Sequence, residues 1–80
     1  MAKIWEDLMK DKYPTTRTPK ELVKKLKMGR KAGSFTHGKY WNQFNVVRED
    51  SSAWVVSTER GSAGGHYYVS KKNPNKAVWD

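Results

Sequence analysis

Apolar residues change period partway along the chain, and that change divides it. Between Lys3 and Lys12, Ile4, Trp5, Leu8 and Met9 recur at i, i+1, i+4 and i+5, the stripe of an amphipathic helix whose other face carries charge. So short a helix is marginal alone and must dock to persist. Tyr13-Pro14 closes it, because a residue before proline is pushed out of the helical region. A second helix is predicted over 18–28. Thr18 serves as N-cap, Pro19 sits at N1, and Glu21 at N3 completes a capping box with Thr18. Leu22, Val23 and Leu26 form its buried stripe, and Gly29 stops it as the C′ residue.

Beyond residue 39 the period falls to two. Tyr40, Phe44 and Val46 share one face of a first strand over 39–48, and Glu49-Asp50-Ser51-Ser52 turns. Residues 53–59 form a second strand and His66-Tyr67-Tyr68-Val69-Ser70-Lys71 a third, joined by a flexible connection, Arg60-Gly61-Ser62-Ala63-Gly64-Gly65. Lys72-Asn73-Pro74-Asn75 turns again, and Lys76-Ala77-Val78-Trp79 offers a short fourth strand at the edge. Residues 29–39 carry three glycines and read as a loop pinned by Phe35. Connections this short favour an antiparallel meander. The expected fold is α+β: a single small domain over 1–80, with two short N-terminal helices packed on one face of a three- to four-stranded antiparallel β-meander. No internal repeat is visible.

Composition changes this picture in two ways. Only 36% of the residues are hydrophobic, yet four Trp, four Tyr and two Phe supply large units of burial, about 150–250 Å² each. Disordered chains are poor in aromatics, so a folded aromatic-rich core is expected. There is no cysteine, which excludes disulfide scaffolds, cysteine-based zinc sites, iron–sulfur clusters and thiol catalysis. Eighty residues leave little room for a deep cofactor pocket, and no cofactor is expected. No stretch approaches the ~20 apolar residues of a membrane span. Glu6 and Asp7 stand where a signal peptide needs an apolar run. A cytoplasmic protein with no membrane partner is expected. No oligomeric state is indicated.

The formal net charge is +8, and it is segregated. Residues 17–39 hold Arg17, Lys20, Lys24, Lys25, Lys27, Arg30, Lys31 and Lys39 against Glu21 alone, a surplus of +7. Lys20, Lys24 and Lys27 fall on one ridge of the second helix, and Arg30 and Lys31 follow in its glycine-rich exit. Such a face can neutralise nucleic-acid phosphates and release their counterions, while the glycines let backbone N–H groups approach. A solvated helix face is the plainer account of the same lysines.

The remaining candidates are weaker. Trp41, Trp54 and Tyr68 lie on adjacent strands and can stack bases if exposed, or fill the core if not. The Arg60–Gly65 segment lacks the Gly-Lys-Ser/Thr ending of a phosphate-binding loop and joins strand to strand. His37 and His66 can in principle act as a general acid/base pair. The stretch Gly61-Ser62…His66-Tyr67-Tyr68 is similar to the Gly-Ser-His-His strand of small toxin ribonucleases with a double-stranded-RNA-binding-like fold, which also open with a helix resembling Thr18–Leu26. The resemblance implies RNA cleavage through His66. It departs from the motif in the three residues between Ser62 and His66.

The leading expectation is a non-enzymatic protein that binds nucleic acid, DNA or RNA. Its phosphate contacts come from Lys20, Lys24, Lys27, Arg30, Lys31 and Lys39, with Arg60 and Lys71 secondary. The alternative is a small basic protein that docks on an acidic surface of a partner enzyme and modulates or inhibits it. A toxin-like ribonuclease ranks third. No catalytic or metal-ligating set is expected.

Overall fold

The computed structural model describes residues 3–60 and 63–80, except the side chains of Arg60 and Ala63. In chain order the elements are α1 (Ile4–Lys10), β1 (Thr16–Arg17), α2 (Lys20–Lys27), β2 (Ala32–His37), β3 (Tyr40–Glu49), β4 (Ala53–Arg60), β5 (Ala63–Ser70) and β6 (Lys76–Trp79). The strands form one sheet in the order β1-β6-β5-β4-β3-β2, antiparallel at every junction. The expectation of a three- to four-stranded meander is therefore wrong: the sheet has six strands and dominates the fold.

The unexpected β2 lies in the segment that reads as a loop. Two of its three glycines are not inside the strand but at its turns: Gly29 and Gly38 have φ of +78° and +66°, conformations glycine reaches without strain. The third, Gly33, is paired with Phe44, and a Cβ there would lie 2.8 Å from the Phe44 ring. Glycine is the residue this strand position accepts, so it marks close packing rather than a break. Phe35 is buried, as expected of an anchor. The other addition, β1, is two extended residues between Pro14 and Pro19 that pair with Lys76 and Ala77, which moves β6 off the sheet edge.

The helices lie on opposite faces, not together on one. Neighbouring residues of β4 explain this: Trp54 and Val56 point to one side, Ala53 and Val55 to the other, and both sides need cover. On the first side Leu22 and Leu26 of α2 pack with Phe35, Phe44, Val56, Tyr67, Val69 and Ala77. On the second, Ile4 of α1 packs with Ala53 and Val55, flanked by Trp5, Leu8 and Tyr68. A bulge at Val46/Arg48 resets the alternation in β3. Arg48 is thereby registered with Val55 and Glu49 with Trp54.

Helix ends also differ from expectation. Pro19, not Thr18, is the N-cap of α2, and no side chain caps it. Glu21 does not reach back to Thr18; its carboxylate accepts the backbone N–H of Thr36 at 2.6 Å, across on β2. The Thr18 hydroxyl is buried without a hydrogen-bond partner. At the other end the sequence reading holds. Gly29 N–H donates to Leu26 O and Arg30 N–H to Lys25 O, the paired bonds of a Schellman ending. The N-terminus of α1 is capped from a distance: Ile4 N–H donates to Asp50 Oδ2 at 2.8 Å and Trp5 N–H to Ser52 Oγ at 2.9 Å.

Candidate nucleic-acid interface

The candidate surface starts from helical spacing. With Leu22, Val23 and Leu26 turned to the sheet, Lys20, Lys24 and Lys27 must point outward, and they are exposed. They line one open groove of about 440 Å³ together with Val23, Met28 and Asn75. Among the described residues none of the three has a carboxylate within ion-pairing distance; the ion pair present there joins Lys71 to Glu49. Lysines in the last turn also complement the helix dipole, worth about 0.3–1 kcal/mol each. The charge therefore costs the helix little.

Arg30 and Lys31 are exposed on the turn after Gly29 and extend the basic surface from the C-terminal end of α2. Lys39 stands apart at the tip between β2 and β3, with its ammonium 5.8 Å from the Tyr40 ring centre. Lys71 is engaged elsewhere: its Nζ is 2.6 Å from Glu49 Oε2 and 5.1 Å from the centre of the Trp54 ring. The side chain of Arg60 lies outside the described residues, as do Gly61 and Ser62. Six cations expected to act together thus resolve into five on α2 and its exit, with Lys39 separate.

The three aromatic candidates do not form one platform. Trp54 is half-buried against the α2-side core, beneath Lys71. Tyr68 packs beside α1 on the opposite side, and its hydroxyl donates to Asp80 Oδ2 at 3.4 Å. Burial raises the Tyr68 pKa, and the Asp80 carboxylate raises it further. Trp41 is 57% exposed. The two histidines are also divided. His37 Nδ1 lies 3.2 Å from the Tyr67 hydroxyl on the α2 side, while His66 is registered with Ser57 on the other. They do not make an acid/base pair.

Two features escaped the sequence reading. The first is Asp50, whose carboxylate accepts from the Ser52 hydroxyl, from Ile4 N–H, and from Ser52 and Ala53 N–H. The Ser52 hydroxyl chiefly, then Ile4 N–H, holds the acid well below the usual carboxylate range. The Asp-Ser-Ser turn was the visible cue, but its helix partner was not. The second is the half of the sheet that α1 leaves bare, a concavity of about 560 Å³ lined by Trp41 and five polar residues together with Ala32, Gly33 and Phe44. Asparagine, glutamine and serine between apolar strand residues read as spacers, so nothing set them apart.

No helix among the described residues is long and apolar enough to cross a membrane. No protein family, curated protein or solved structure matches the chain.

Proposed function

We propose that the protein binds nucleic acid, DNA or RNA, through phosphate contacts from Lys20, Lys24 and Lys27 on α2 and Arg30 and Lys31 on its exit turn. The observation that supports this reading is the outward row of three lysines in one open groove, without ion-pair partners among the described residues. A row of fixed cations exchanges condensed counterions for ammonium groups, so affinity is gained chiefly from ion release. The role is non-enzymatic and cytoplasmic, and it needs no cofactor.

Fluorescence anisotropy with a labelled duplex and a labelled single strand tests it. Five phosphate contacts give a log–log salt slope of about −4.5 on the duplex and about −3.5 on the single strand. The double substitution Lys24→Glu with Lys27→Glu abolishes binding. Failure of both oligonucleotides to bind at low salt overturns the reading.

One observation favours a second reading, an acidic protein surface as the partner. Met28 is 62% exposed within the lysine groove. An apolar side chain among cations suits the mixed core and rim of a protein interface better than a phosphate backbone. Recovery of one dominant protein from nuclease-treated lysate, lost with Met28→Asp, supports this second reading over the first.

A further inference from the structure

We propose that the bare half of the sheet on the α1 side is a binding site for a neutral carbohydrate. The site is built from alternate residues of β2, β3 and β4. Trp41, Gln43 and Asn45 point the same way along β3 and are spaced about 7 Å apart by the strand rise. Ser34 and Glu59 flank Gln43 in register, and Ser57 flanks Asn45, each about 5 Å away across the sheet. An indole thus sits at one end of a grid of amides, hydroxyls and a carboxylate, at spacings on the scale of a sugar ring.

Antiparallel sheets often leave one face to water, and polarity alone would mean no more than that. Three observations go further. Asparagine and other non-strand formers occupy interior positions: Asn45 lies between β2 and β4, and Ser57 lies on β4, two strands in from the nearer edge. Strand propensity disfavours such choices, and their side chains hydrogen-bond to nothing among the described residues. The surface is also concave, within the volume range of ligand sites. Last, Trp41 is exposed, so the face of its indole is open to a ligand at this surface.

Charge identifies the ligand class. The chain is rich in lysine and arginine, yet among the described residues none of them lines this concavity, and Glu59 does. A phosphate ligand would meet a carboxylate and no cation. A neutral sugar meets what it needs: its C–H face lies on the indole, its hydroxyls donate to Glu59 and to the amide oxygens, and they accept from the amide N–H groups. The site is on the opposite side of the sheet from α2 and does not depend on the phosphate reading.

The test is a set of amide-resolved NMR titrations of the whole chain with cellotriose, maltotriose, N-acetylchitotriose and mannotriose. Binding by at least one sugar, with shifts at Ser34, Gln43, Asn45, Ser57 and the Trp41 indole, is the expected result. Trp41→Ala weakens that binding at least about tenfold. Gln43→Ala weakens it as well, while Lys24→Glu with Lys27→Glu leaves it unchanged. Trp41 is exposed, so its substitution leaves the fold intact, and unchanged chemical shifts elsewhere verify that. Three outcomes overturn the proposal: no shifts at this surface with any of the four sugars, undiminished binding in Trp41→Ala, or shifts here produced by a single-stranded oligonucleotide and not by a sugar.

Discussion

The two sides of the sheet are closed by different means. On one side α2 contributes Leu22 and Leu26 to a cluster that draws on β2, β3, β4, β5 and β6. On the other, α1 contributes one buried residue, Ile4, over Ala53 and Val55, and the hydrogen bonds of Asp50 and Ser52 hold its first turn. The contrast shows how so polar a chain can carry two surfaces. The side fixed by apolar burial can put its lysines outward, since the helix stays in place without them. The side fixed by a local polar clamp leaves part of the sheet uncovered, a polar surface lined by Glu59 and by no lysine or arginine among the described residues.

The largest test of this contrast is Leu22→Ala. Leu22 is fully buried, and its truncation is expected to cost about 2–5 kcal/mol in denaturant unfolding. Gly65→Ala comes next. A Cβ there would lie 2.5 Å from the Trp79 ring and 2.9 Å from the Asp80 carbonyl, and displacing the end of β6 is expected to cost about 1–3 kcal/mol. Asp50→Asn is expected to act locally. Amide exchange over 4–10 accelerates while the amides of α2 and β4 stay protected; uniform acceleration would mean that α1 belongs to the main core.

The same clamp predicts a pH dependence. The acid of Asp50 is weaker in the unfolded chain than in the folded one, so the unfolded chain takes up its proton first. The stabilisation is complete above about pH 4 and is lost as pH falls further. Acid therefore releases α1 before α2, an order that circular dichroism and exchange together can follow, and Asp50→Asn removes this part of the pH dependence. The smallest effect is expected at Lys12, just past the C-cap of α1, which has φ of +58°. Lys12→Gly relieves that strain and gains at most about 1 kcal/mol of stability in a thermal melt.

Local codes were readable and long-range ones were not. The apolar stripe of Leu22, Val23 and Leu26, the Gly29 stop and the shared face of Phe44 and Val46 are all short-range, and the structure reproduces them. The strand β2 was missed because Gly33 is explained by Phe44, eleven residues on and across the hairpin. The capping box failed for the same reason: Glu21 had a competing partner in Thr36. The basic groove was visible because helical spacing alone lines up Lys20, Lys24 and Lys27. The bare polar half of the sheet was not, because it arises from three strands in register and from a helix too short to cover them.

Phosphate recognition is expected from the α2 side alone. Amide-resolved NMR of the whole chain, titrated at low salt with a short single-stranded oligonucleotide and then with a duplex, tests it directly. The largest shifts are expected over residues 20–31, reversed by added salt, with Ser34, Gln43, Asn45 and Ser57 unmoved. Shifts centred on those four residues, or none at low salt with either oligonucleotide, would contradict it.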